Sequence, residues 1–154
     1  MSTKNTDRIE EKILLRVPLA RAWNALTDAV EFGAWFGVKL AGAFAPGATV
    51  KGTITEKGYE GTPFELVVER IEPQRLFSWR WHPYAMDPDV DYSVEPPTFV
   101  VCELEEIGGG TVLTLVESGF DKLPAARGEE ARRMHEEGWA AQMKSIERYL
   151  AKAA

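Results

Sequence analysis

Three groups of side chains in this sequence have types and spacings that bear on chemistry. The first lies in residues 111–118, where Leu113, Leu115 and Glu117 alternate. A strand places alternate residues on one face, so leucines facing a core carry Glu117 inward with them. A buried carboxylate is paired, or it is neutral with its pKa pushed up. In either state it can orient a ligand hydroxyl, and with a raised pKa it can serve as a general base. Two plainer readings stay open: an ion pair with an arginine such as Arg80, or exposure at the strand end. Glu117→Gln keeps the shape and removes the charge, so it is expected to alter binding or turnover and spare the fold. A bulge before Gly119 would reverse the parity.

The second group is aromatic. Phe77, Trp79 and Trp81 alternate along one strand and share a face. With Trp139 and Met143 they are candidates to line an apolar ligand cavity, with Trp35, Phe36 and Phe44 at its mouth. The alternative is that they fill the core, since aromatic rings bury large areas.

The third group is ionisable. His82 and His135 are the only histidines and stand in no nucleophile motif. Asp87, Asp89 and Asp91 have the spacing that opens a calcium loop, but the glycine and glutamate such a loop needs are replaced by Tyr92 and Thr98. Residues 83–96 therefore read as a solvated acidic lid. Cys102 alternates with Val100 and Leu104, as a buried apolar-like residue does. No P-loop, Rossmann glycine pattern or nucleophile elbow is present. No metal site and no cofactor is expected.

The elements that must position these groups are legible from turns and periodicity. A first strand spans 8–17. Pro18 suits a first helical turn, and Leu19, Ala22, Trp23 and Leu26 follow at helical spacing. A further turn or two covers 31–36. Strands are predicted at 38–44, 49–57, 64–71, 76–82, 98–107 and 111–118, with Gly108, Gly109 and Gly110 as the hairpin between the last two. The final stretch, 128–151, is a long amphipathic helix with Ala131, Met134, Gly138, Trp139, Met143, Ile146 and Leu150 on its apolar face. Gly138, costly inside a helix, predicts close approach of another element. One domain over 8–152, with a flexible 1–7, is the expected organisation.

Composition narrows the function. Of 154 residues, 45% are hydrophobic and 27% charged, with a net charge of -6 and no basic run. That balance opposes nucleic-acid binding. A single cysteine rules out an intrachain disulfide. No apolar run approaches a membrane span, and the polar start lacks a signal peptide's apolar segment, so a cytoplasmic protein is expected.

Val17-Pro18 with Ala22-Trp23 and Leu26-Thr27-Asp28, then Ser118-Gly119-Phe120, then Gly138-Trp139 with Tyr149-Leu150, occur in a familiar order. Over about residues 9–150 the chain resembles the Hsp90-ATPase-activator-homologue (AHSA1-like) branch of the START-like, Bet v 1-like (SRPBCC) superfamily. The resemblance implies an α+β helix-grip fold: a strand, two short helices, six more strands and a long C-terminal helix gripped by a curved antiparallel sheet. It also implies a hydrophobic cavity between sheet and helix, which different branches use for lipids, sterols, polyketides or plant hormones. The eukaryotic activator carries an Asn-rich, Trp-containing motif in a separate N-terminal domain. Nothing like it stands within residues 1–11, so Hsp90 is not an expected partner. The leading expectation is a binder of an apolar or amphipathic small molecule. The alternatives are a cyclase- or dehydratase-type enzyme using Glu117, and a chaperone-associated or homodimeric interaction module.

Overall fold

The computed structural model describes residues 7–83, 87 and 89–152. Seven strands form one antiparallel sheet: β1 (Arg8–Leu15), β2 (Val38–Ala41), β3 (Thr49–Ile54), β4 (Pro63–Glu72), β5 (Leu76–Trp81), β6 (Thr98–Ile107) and β7 (Gly110–Ser118). Their order across the sheet is β1-β7-β6-β5-β4-β3-β2. Every neighbour pair from β2 to β7 is consecutive in sequence, so short turns make the meander. β1 returns to pair with β7, which puts the chain's first strand beside its last. Two short helices, α1 (Leu19–Thr27) and α2 (Ala29–Phe36), follow β1, and the chain closes with α3 (Ala125–Lys152).

The element order and the α+β helix-grip class agree with the sequence reading. Several boundaries differ for local reasons. β1 ends at Leu15 rather than 17. β2 stops at Ala41 rather than 44, because Gly42 takes a φ of 120° that leaves extended backbone. Helix α3 begins at Ala125, three residues earlier than its apolar periodicity suggests. Of the expected flexible stretch 1–7, residues 1–6 lie outside the described residues. Asp7 is fastened to the end of β7: its carbonyl accepts from the Gly119 and Phe120 amides, and its carboxylate from the Asp121 amide at 3.0 Å.

α3 buries Ala131, Trp139, Met143, Ile146 and Leu150 against the inner face of the sheet, which presents Leu66, Val68, Phe77, Trp79, Val100, Cys102, Leu113 and Leu115. Cys102 is wholly buried, as its alternation implied, and burial pushes its thiol pKa far up. Between helix and sheet, ring meets ring. Trp79 lies 5.9 Å from Phe32, 5.2 Å from Phe77 and 6.3 Å from Trp139, and Phe44 lies 5.0 Å from Phe77. These are the edge and tilted contacts that aromatic quadrupoles favour.

Gly138 corrects an expectation. Among the described residues, a Cβ there would meet nothing within 4 Å, so none of their elements approaches it. Gly128 is the tightly packed helical glycine: its Cβ would stand 2.6 Å from the Phe120 carbonyl. The apolar face of α3 therefore turns inward around Gly128, while Gly138 lies on its exposed side.

The three helices are pinned at one corner. The Glu31 carboxylate accepts from Arg21 at 2.6 Å and from the Tyr149 hydroxyl at 2.7 Å, joining α2 to α1 and α3. The last carbonyls of α2, orphaned as at any helix end, are taken by α3: Ser145 donates to Trp35 O at 2.5 Å and Gln142 to Phe36 O at 2.8 Å. Those two bonds fix where the Phe36 ring stands.

Candidate functional site

The ladder between β6 and β7 runs without a bulge from Phe99–Ser118 to Ile107–Gly110, so the parity of β7 is unbroken. Leu113, Leu115 and Glu117 all face inward, and Glu117 is completely buried. Trp81 at the end of β5 and Thr98 at the start of β6 are paired in register on the same face. His135 and Trp139 project toward them from α3, one turn apart.

These residues converge on one carboxylate. Glu117 Oε1 accepts from His135 Nδ1 at 2.7 Å and from Trp139 Nε1 at 2.8 Å. Oε2 accepts from Trp81 Nε1 at 2.8 Å and from the Thr98 hydroxyl at 2.6 Å. Each oxygen thus holds one indole N–H, which can only donate, and one further donor. Burial pushes the Glu117 pKa up. The adjacent His135 charge and the hydrogen bonds outweigh that, and the net direction is down from 4.5. Glu117 is a satisfied buried anion. Arg80 is not its partner; that guanidinium leans toward Glu69 at 4.0 Å.

Beyond this cluster the structure opens. A cleft of about 450 Å³ is bounded by Phe36, Ile54, Pro63, Phe64, Glu65, Trp81, His82 and His135, with Asp91, Tyr92 and Ser93 on its far rim. A smaller groove of about 130 Å³ shares Phe36, Trp81 and His135 and runs along α3 past Met134, Gly138, Trp139 and Gln142. Gly138 keeps that groove open, because any side chain there would stand in its mouth. Phe36, Phe64 and Trp81 form a continuous aromatic wall, with centroids 5.6 to 6.1 Å apart. The His135 ring stands edge-on to Trp81 at 5.5 Å.

The rim segment is tied back to α3. Arg127 pairs with Glu95 at 3.2 Å, donates to the Pro83 carbonyl, and lies over the Tyr92 ring at 5.0 Å. Asp91 caps the short turn Tyr92–Val94 by accepting from the Ser93 amide at 3.1 Å. Asp87, Asp89 and Asp91 are exposed. Among the described residues, no group of three or more His, Cys, Asp or Glu is arranged to hold a metal.

The aromatic candidates divide. Phe36, Trp81 and Trp139 border the open space. Trp35, Phe77, Trp79 and Met143 are buried in the core, and Phe44 packs on Phe32 and Phe77. Trp35 donates its indole N–H to the Ala25 carbonyl at 2.7 Å, which fixes α2 to α1. Glu117 does not border the cleft; it lies behind the wall and holds two of its rings. Phe64 and His135 were missed as wall residues. Phe64 was visible in principle, because it has the same parity on β4 as the inward Leu66 and Val68. His135 depends on how α3 is rotated against the sheet, although its i,i+4 spacing to Trp139 was a usable signal.

A curved antiparallel sheet gripping one long C-terminal helix, with a cleft at the open end, is the helix-grip architecture of START-like, Bet v 1-like proteins. A family model described as activator of Hsp90 ATPase homolog 1-like protein matches residues 16–151, and the chain belongs to that family. A search of curated proteins finds no match. Among solved structures, protein MLL2253 from Mesorhizobium loti is 20% identical at a TM-score of 0.75, over 96% of this chain and 98% of that one. A protein from Arthrobacter aurescens is 14% identical at a TM-score of 0.81, over 97% and 90%. DynU16, described as a putative protein in the dynemicin biosynthetic locus, is 24% identical at 0.72, over 96% of this chain and 48% of that one. At these identities the likeness is one of fold. No helix among the described residues is long and apolar enough to cross a membrane.

Proposed function

We propose that this protein binds an apolar or amphipathic small molecule, seated in the open-end cleft rather than in an enclosed chamber between sheet and helix. One observation carries the reading: the aromatic interior is packed ring on ring, while Phe36, Phe64 and Trp81 turn toward about 450 Å³ of open space. Clefts of roughly 300–1,000 Å³ with apolar walls and few polar groups are where small ligands bind. Membership of a family that commonly binds hydrophobic ligands supports the same reading. The enzyme alternative that uses Glu117 as a base has less support, because all four acceptor positions of that carboxylate are engaged by protein donors.

The test joins native mass spectrometry of freshly purified protein with a fluorescence titration of N-phenyl-1-naphthylamine, a neutral apolar probe. A co-purified small molecule, or saturable probe binding at one site that Phe64→Asp abolishes, is the expected result. Absence of both a bound molecule and saturable probe binding would contradict the proposal.

A further inference from the structure

Three rings meet in the wall of the cleft, and no two are parallel. Phe36 and Phe64 stand at 65°, Phe36 and Trp81 at 52°, and Phe64 and Trp81 at 86°. Phe36 stacks on the buried Phe32 at 4.8 Å, and Trp81 on the buried Trp139 at 5.8 Å. Each of those two rings therefore has one face covered by the core and the other turned away from it. Tyr92, on the far rim, already carries a cation on its ring, because Arg127 lies 5.0 Å from its centroid.

The face of an aromatic ring is negative, so angled rings around a space attract a cation placed among them. The charges around this space add to that preference. Trp81 donates its N–H to the buried Glu117 carboxylate at 2.8 Å, and an anion behind the ring polarises it in the sense that favours a cation in front. Glu117 and His135 taken together are anionic or neutral, whichever state the imidazole takes, and never positive. Asp91 on the rim accepts from the Ser93 hydroxyl at 2.5 Å and from its amide at 3.1 Å, which lower its pKa and keep it ionised. Glu65 adds little, since Lys51 lies 3.6 Å from it. Among the described residues that border the cleft there is no lysine or arginine. The Trp81 and Trp139 N–H groups are committed to Glu117, so these rings meet a ligand through their faces and not as donors.

We infer, resting on the cleft-binding reading above, that the ligand is a free organic cation, a tertiary or quaternary ammonium on an apolar body, with its charged end among Phe36, Phe64 and Trp81 and facing Asp91. A methylated ammonium asks for few or no hydrogen bonds, which suits a wall whose indole donors are already used. The apolar body lies along the groove past Met134 and Gly138.

The experiment displaces bound N-phenyl-1-naphthylamine with benzyltrimethylammonium and with neopentylbenzene, the same shape without the charge. It is run at about pH 8, above the ordinary range of histidine. Wild type, Phe64→Leu and Asp91→Asn are compared, each shown to be folded by a thermal melt. Leucine keeps an apolar side chain and deletes the ring face; asparagine can keep the cap on Ser93 and deletes the charge. Wild type is expected to bind the cation about tenfold more tightly than the neutral isostere, the size of a partly desolvated cation–π contact. That preference falls about threefold in each variant. Equal or tighter binding of neopentylbenzene by wild type, or a preference unchanged in either variant, would overturn the inference and leave the cleft reading standing. Failure of the naphthylamine probe to bind saturably would overturn both.

Discussion

Glu117 Oε1 and His135 Nδ1 lie 2.7 Å apart, joining the end of the last strand to the long helix across 18 residues of sequence. With Trp81, Thr98 and Trp139 on the remaining acceptor positions, the contact makes one anion the meeting point of β5, β6, β7 and α3. A buried ion whose every lone pair is satisfied is costly to disturb from either side.

Glu117→Gln is therefore expected to destabilise the protein by about 3–5 kcal/mol, the range for breaking a buried charged pair. Each carboxylate oxygen carries one indole donor, so either flip of the glutamine amide turns its NH₂ onto an N–H that cannot accept. Chemical denaturation checks this. The sequence alone predicts a fold-neutral substitution, and the four donors reverse that expectation.

Stability should also depend on pH through this group. Its pKa in the folded state lies below 4.5, so the unfolded chain takes up the proton first as pH falls. The Glu117 contribution is then fully present above about pH 4.5 and is lost as pH falls toward the folded-state value. Glu60, Glu72 and Asp91 are also shifted down, but they lie at the surface, where solvent screens them. Acid-unfolding curves of wild type should be steeper below pH 4.5 than those of Glu117→Gln. Equal slopes would assign the acid sensitivity elsewhere.

Trp139→Ala is expected to cost about 3–5 kcal/mol in chemical denaturation, as large aromatic truncations in cores do. The ring is buried against Trp79 and stacks on Trp81 at 5.8 Å, and its loss also removes a donor from Glu117. An unchanged unfolding midpoint would mean the ring contributes no packing.

The two helical glycines of α3 should behave oppositely. Gly138→Ala adds a methyl into open space and gains helix propensity, so stability should rise by up to about 1 kcal/mol. Gly128→Ala drives its methyl against the Phe120 backbone and should lower the melting temperature. Gly138→Leu, which fills the groove beside Trp81 and Trp139, should weaken naphthylamine binding while leaving the protein folded.

How far the sequence reached follows from which signals are local. Turn residues and period-two alternation are local, so the element order, the meander of neighbouring strands and the inward parity of Glu117 were legible, whereas the return of β1 to β7 is not a local signal; no bulge interrupts β7. The same alternation placed Phe77, Trp79 and Trp81 on one face but could not tell interior from rim. That distinction depends on where α2 and α3 end over the sheet: Trp79 is covered by Phe32 and Trp139, while Trp81 stands one step further along, half exposed. The partner of Glu117 was out of reach, because it depends on the rotation of α3 about its axis. That rotation is set by docking contacts such as Ser145 on Trp35 and Gln142 on Phe36.

The central claim, that the ligand sits at the open aromatic end and not inside the helix–sheet interior, is tested most directly by the indole N–H resonances. The chain has five tryptophans, each giving one such signal. On titration of ¹⁵N-labelled protein with N-phenyl-1-naphthylamine, the account expects saturable shifts at Trp81 and Trp139, which border the cleft and groove, with Trp23 and Trp35 unmoved. Shifts concentrated at Trp35 and Trp79, with Trp81 unmoved, would place the ligand in the interior and contradict it.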